Sequence, residues 1–306
     1  MSLSLFNIKK WWKMIRGKSI LHVNQDEGKC YSFESIKGYY NNLTEKVTLD
    51  KENYNKIEVI KCFDEKKREY LFPIAIFQYG LGAYDLYLMA QDKELMREKF
   101  FKQLSWCFDN QNEDGSWNNF EHVYPEAPYS AMAQGEGCSL LIRGYVETKD
   151  EKYLSAAKKA LEFMLKPLAD GGTAEYIDDD IILYEFTNFP YVFNGWMFAI
   201  FGLMDYVILT NDKKYKEILS KTINGFIKRL ERMDNGYWSM YRNDKTIASP
   251  FYHHLHIAQL SVLGKFTKNP TIIKYCDKFI LYENKKSNKR RAFIKKSLQK
   301  IFERKK

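Results

Sequence analysis

Four short turn phrases recur along the chain at nearly equal intervals, and this period restricts the possible folds more than any other feature. They are Gln91-Asp92-Lys93-Glu94, Thr148-Lys149-Asp150-Glu151, Thr210-Asn211-Asp212-Lys213 and Thr267-Lys268-Asn269-Pro270, spaced 57, 62 and 57 residues apart. Glycine breaks alternate with them: Asp114-Gly115-Ser116-Trp117, Asp170-Gly171-Gly172 and Asp234-Asn235-Gly236-Tyr237-Trp238, 56 and 64 residues apart. Each period therefore holds one tight turn and one long loop. Between the breaks, apolar residues fall at helical intervals, as in Tyr153, Ala156, Ala160, Phe163 and Met164, or Ile218, Ile223, Ile227 and Leu230. Asp, Asn or Thr precedes several of these stretches as a helix cap. The pattern predicts helix pairs near 73–90 and 93–109, 129–147 and 151–167, 190–209 and 212–231, and 252–266 and 269–282. Hairpins repeated at this length cannot bury their apolar faces singly, so they must stack. The expected fold class is mainly α, an incomplete (α/α) toroid of about four helical hairpins with a small N-terminal β-containing segment. In such arrays the long loops gather at one end and carry the site.

Three divisions follow. Residues 1–71 combine a basic helix with β-type stretches such as Ser19 to Val23 and Lys56 to Cys62, residues 72–283 form the array, and residues 284–306 form a basic amphipathic tail. The net charge of +9 lives in the ends: residues 284–306 contribute +10 and residues 1–25 contribute +5, leaving the body at −6. Phe293, Ile294, Leu298, Ile301 and Phe302, and at the other end Leu5, Ile8, Trp12 and Ile15, sit among Lys and Arg at helical spacing. Such ends are either solvated, dock on an anionic membrane surface, or contact an anionic glycan or nucleic acid. The five cysteines are far apart and lack a C-x-x-C pair, which fits a reducing compartment instead of a disulfide framework. No secretion signal is expected, and the 16-residue apolar run Phe189 to Met204 reads as a buried helix. Twenty-two Tyr and six Trp supply flat faces with polar tips, a lining common in sugar sites and in cores alike.

Four phrases stand in the loops and helix starts: Phe72-Pro73-Ile74-Ala75-Ile76-Phe77-Gln78-Tyr79-Gly80-Leu81, Tyr129-Ser130-Ala131-Met132-Ala133-Gln134-Gly135, Asn194-Gly195, and Tyr252-His253-His254-Leu255-His256. In this order they resemble the D-glucuronyl C5-epimerases. The chain looks like a short form without the β-sandwich of the animal members. It departs from the family at one place: Leu183 precedes Tyr184 and Glu185 follows it, where the family has Glu before its catalytic Tyr. The resemblance implies conversion of D-glucuronate to L-iduronate in a heparosan-like polysaccharide, with no organic cofactor. No metal is expected at His253, His254 and His256, because adjacent helical histidines diverge and no acidic ligand is near in sequence. That reaction removes a proton α to a carboxylate and returns one from the opposite face, so it needs two proton carriers and a cation for the substrate carboxylate. A tyrosine can serve if a cation or hydrogen bonds lower its pKa.

Through the same resemblance, Tyr252 is expected as one proton carrier, with Tyr184 or Glu185 opposite and Tyr241 in support. Arg242 would pair with the carboxylate, while Asn194, Gln78, Tyr79, Tyr129, Gln134, His253 and His256 would line the substrate site. The Tyr176 to Asp180 run reads as a solvated loop. Two other functions stay open, a uronate lyase or unsaturated-uronyl hydrolase, and a non-catalytic carbohydrate-binding solenoid. The expected partner is a uronate polymer and not nucleic acid, with homodimerisation and peripheral membrane contact left open. The expected location is cytoplasmic, at or near the inner membrane surface.

Overall fold

A computed structural model describes residues 25–64 and 66–302. The basic segment expected near the N-terminus and the stretch Ser19 to Val23 lie outside these residues. The four hairpins are α1 (Pro73–Leu88) with α2 (Lys93–Asp109), α3 (Ala131–Thr148) with α4 (Glu151–Met164), α5 (Phe193–Thr210) with α6 (Lys213–Lys228), and α7 (Pro250–Thr267) with α8 (Pro270–Asn284). The recurring turn phrase has a shared geometry in three of them. Lys149, Asn211 and Lys268 take left-handed backbone (φ 60°, 57° and 53°), and the next residue caps the following helix. The preceding Thr148, Thr210 and Thr267 donate to carbonyls of their own helices and accept the amide of that capping residue. One local hydrogen-bonding device thus explains the sequence repeat.

The helices sort into two classes. α1, α3 and α5 are buried through most of their length, whereas α4 and α6 bury one stripe each, such as Ala156, Ala157, Ala160, Leu161 and Met164. Each inner helix packs on its own outer partner and on the next inner helix, giving the succession α1, α3, α5, α7. α5 is long and apolar enough to cross a membrane by length and composition, and 83% of that window is buried inside the array. α3 and α5 touch backbone to backbone, because a Cβ at Gly202 would lie 2.5 Å from the Cα of Gly135.

Residues 25–44 are an extended strap with one isolated bridge, Glu27 to Asn41, instead of a small capping sheet. The strap runs in contact with all four inner helices. The Tyr39 amide donates to Asp85 of α1, the Arg143 guanidinium of α3 donates to the Gly38 carbonyl, Tyr40 donates to Asp205 of α5, and Ser261 of α7 donates to Glu27. The Tyr39 ring stacks on Phe198 at an interplanar angle of 4°. Among the described residues, strand structure is confined to β1 (Cys62–Phe63) with β2 (Glu69–Tyr70), and β3 (Ala174–Ile177) with β4 (Asp180–Leu183), both antiparallel. Of the stretch expected to be β-type, Lys56 to Cys62, only Cys62 is in a strand. The second hairpin falls on the Tyr176 to Asp180 run, and its Asp180 is fixed by Lys228 (2.7 Å) and Arg229 (2.8 Å). The tail forms α9 (Lys286–Phe302), seated by a fully buried Ala292 against Tyr237, Trp238, Ile247 and Ala248.

Candidate active site

The inner helices all begin at the same end, and the long loops 110–130, 165–192 and 229–249 lead into α3, α5 and α7 there. Backbone bonds tie these loops to one another. The Ala131 amide donates to the Tyr184 carbonyl, the Phe193 amide to the Tyr241 carbonyl, and Val192 forms a bridge with Arg242. Glu185, Tyr241 and Arg242 are therefore presented on backbone clamped at the mouth of the array.

Glu185 is the pivotal group. It is buried against Gly195, where a Cβ would lie 2.3 Å from its Oε2, so only glycine leaves room for the carboxylate. Burial pushes its pKa up to about 8, against the pull of Arg242, and Oε2 has no hydrogen-bond partner. Tyr241 and Tyr252 stand beside it as a pair, ring centroids 4.6 Å apart and tilted by 45°, with a hydrogen bond between their hydroxyls. Both residues are partly exposed, yet both phenols are held above the ordinary tyrosine range, first by desolvation and then by the Glu185 charge. The expected lowering of a tyrosine pKa is thus reversed in this site. Raised phenol pKa values favour the neutral form of both tyrosines, and the Glu185 carboxyl titrates near physiological pH.

Arg242 is half engaged. One terminal nitrogen holds Asp244 at 2.7 Å and Thr246 at 3.2 Å, its Nε is buried without a partner, and the guanidinium lies 5.5 Å from the Phe189 ring centroid. Asn194 is buried at the start of α5 with its Oδ1 unmatched, and its carbonyl accepts from Gln259. Gln78 donates to Glu136 at 2.7 Å. Glu136 is fully buried, has an orphaned Oε2 and a pKa raised by burial, and Glu185 adds to that rise. Glu136 was not anticipated from the sequence, although a carboxylate between Gly135 and Gly137 on an otherwise apolar helix start is a visible signal.

Behind Tyr252, His253 and His256 both meet the Ser239 hydroxyl through Nδ1, at 2.8 and 2.9 Å. The Ser239 amide also donates to His253, whose ring stacks on Trp238 at 3.6 Å and whose Nε2 lies 3.1 Å from the Phe279 carbonyl. Burial lowers both imidazole pKa values, that of His253 to about 4. These rings are neutral supports for the tyrosine-bearing helix start. Among the described residues, no group of three or more His, Cys, Asp or Glu could hold a metal.

Four expected residues sit apart from this cluster. Tyr184 donates to Glu175 of β3 at 2.6 Å. Tyr79 faces α2 and accepts from Lys99, Tyr129 packs edge-on against Phe163 of α4, and Gln134 spends its amide on Trp117, Gly115 and Ala160 backbone.

At its loop end the helical array gathers a buried carboxyl, two phenols and a guanidinium, groups able to take or give a proton and to meet an anion. The family model described as D-glucuronyl C5-epimerase C-terminus matches residues 107–281, more than half of the chain, and the chain belongs to that family. Glu185, Tyr241, Arg242 and Tyr252 all fall inside the match. A D-glucuronyl C5-epimerase of Caenorhabditis elegans is 27% identical over 223 residues, covering 63% of this chain and 36% of that relative. The chain therefore spans about a third of the length of the curated relative it matches. Among solved structures, an endoglucanase from Komagataeibacter sucrofermentans aligns over 76% of each chain with a TM-score of 0.48 at 14% identity.

Proposed function

We propose that the protein is a C5-epimerase acting on uronate residues of a polysaccharide, converting D-glucuronate to L-iduronate in a heparosan-like chain. The observation that carries this reading is the buried Glu185 carboxyl beside the Tyr241–Tyr252 pair. Family membership and the name of the nematode relative point the same way.

Glu185, ionised in the productive form, takes the C5 proton, and the electron pair of the C–H bond moves into the substrate carboxylate to give an enediolate. Arg242 stabilises that charge by turning its fork from Asp244 toward the sugar acid. Neutral Tyr252 then donates its proton to C5 from the opposite face. The pair is left as protonated Glu185 and a Tyr252 phenolate that accepts the Tyr241 hydrogen bond, and proton return between them resets the site. In the reverse direction the two exchange roles. Phenols with raised pKa values suit this use, since a weakly acidic donor matches a strongly basic carbanion. Tyr184, tied to Glu175, leaves the second carrier to Glu185. Asn194, Gln78 and Glu136 offer hydroxyl-binding groups deeper in the site.

The test is incubation of heparosan with the protein in deuterated water. Deuterium at C5 with iduronate formed supports the reading. Unsaturated ends absorbing in the ultraviolet would instead assign a lyase, which starts from the same abstraction and expels the C4 substituent. Neither product would leave a binding protein.

A further inference from the structure

The tail helix α9 is the part of the described structure that this chemistry leaves unused, and it lies outside the family match. Between Lys285 and Phe302 there are eight Lys or Arg and no acidic residue, while residues 26–283 carry a net −6. This basic helix does not hang free. Ala292 is buried on the 237–248 loop, and Gln299 accepts from the Ile247 amide and donates to the Lys245 carbonyl. That loop carries Tyr241 and Arg242. Docking therefore places cations along the rim of the site: the Lys296 ammonium is 5.5 Å from the Tyr241 ring centroid, and the Arg291 guanidinium is 3.9 Å from that of Tyr237. Beside them runs an open groove of about 540 Å³ lined by Tyr237, Arg290, Arg291, Ile294, Lys295 and Leu298.

We propose that α9 is a docking surface for the polyanionic substrate, binding uronate carboxylates that flank the residue held at Glu185 and Tyr252. The inference rests on the uronate-polymer reading above. A polymer bearing a carboxylate on every uronate is repelled by an acidic body and must be drawn in by a local basic surface. α9 supplies that surface with exposed Arg290, Arg291 and Lys295 along one groove. The same exposed Phe293, Ile294 and Leu298 would suit an anionic bilayer. The seating of α9 on the catalytic loop, with Lys296 over Tyr241, favours the substrate.

The experiment titrates heparosan against the full chain and its Arg290→Glu/Arg291→Glu/Lys295→Glu variant at several salt concentrations, with circular dichroism and thermal unfolding to establish that both are folded. A milder Arg290→Gln/Lys295→Gln variant covers the case in which the triple change unseats the helix. The wild type should bind with strong salt dependence. The triple variant should bind about tenfold more weakly with a shallower salt slope, and the milder one should fall between. Where turnover is measured, the KM for polymer should rise more than that for a tetrasaccharide. Heparosan affinity equal in wild type and folded variants overturns the proposal, as does absence of heparosan binding by the wild type. So does a loss confined to binding of phosphatidylserine vesicles, which would make α9 a membrane helix. Heparosan binding that depends on α9 without C5 deuteration would uphold the surface and sink the epimerase reading alone.

Discussion

The two ends of the helical array both bury carboxylates, and they bond them differently. At the strap end, Arg143 and Asp205 are each 1% exposed and meet at 2.7 Å. Arg143 also donates to the Ser139 and Gly38 carbonyls. Both Asp205 oxygens are bonded, one by Tyr40 and one by Arg143, although Arg143 Nε, Tyr39 Oη and Ser139 Oγ are buried there without a partner. At the loop end one oxygen each of the Glu185 and Glu136 carboxyls is buried without a protein partner, as are Asn194 Oδ1 and Arg242 Nε. A buried ion pair is costly to break, and a buried polar group left unbonded costs stability until a water or a ligand meets it. The bonding of the carboxylates distinguishes the two ends more sharply than residue type does, since tyrosines and carboxylates occur at both.

The contrast can be broken or sharpened by measurement. The largest effect is expected from Glu185→Gln, which should lower C5 deuterium exchange by about a thousandfold while leaving thermal stability equal or higher. A large drop in melting temperature would show Glu185 to be scaffold. Arg143→Met should do the reverse, destabilising the fold by roughly 3–5 kcal/mol through the stranded Asp205. Denaturant unfolding of this variant and of Arg143→Met/Asp205→Leu checks it, with recovery expected in the double change.

Next comes pH. The folded pKa of Glu185, about 8, lies above its ordinary 4.5. Its contribution to stability is therefore fully present below pH 4.5 and is lost as pH rises through 8, at no more than about 1.4 kcal/mol per pH unit. Melting temperature followed across that window should flatten in Glu185→Gln. The smallest effect belongs to His254, bound to Asp26 and to Glu283 (3.1 Å), which raise its pKa to about 9 from 6.5, Glu283 first. Its contribution is full below pH 6.5 and lost through pH 9. Because it is a third exposed, about 1 kcal/mol is expected after solvent screening, read as the difference between wild type and His254→Gln at pH 6.

The hairpins were legible because their signals are local. Helix ends fell within a few residues of expectation where Asp150, Asp212 and Asn269 cap the next helix. The strap was not legible, because its reasons lie far away: Tyr39 and Tyr40 are fixed by Asp85, Asp205 and Arg143, and no periodicity within residues 25–44 announces that. At the loop end Tyr241, Tyr252, Arg242 and Glu185 lie together, while Tyr184, expected beside them, is tied to Glu175. The direction of the tyrosine pKa shifts was missed because it depends on desolvation, which adjacency to Arg or His in sequence does not reveal. Glu136 does carry a sequence signal, a carboxylate between two glycines at a helix start, but its full burial is set by packing from distant elements.

The strap also has a consequence for how the molecule assembles. Contacts within each hairpin close short loops, but Gly38 meets a partner 105 residues away, Tyr40 one 165 away and Asp26 one 228 away. Closing such loops costs more entropy and comes after local pairing. The strap is therefore expected to dock after the hairpins have paired. A refolding experiment monitored through amide protection would see Tyr39 and Tyr40 protected after the helices are formed.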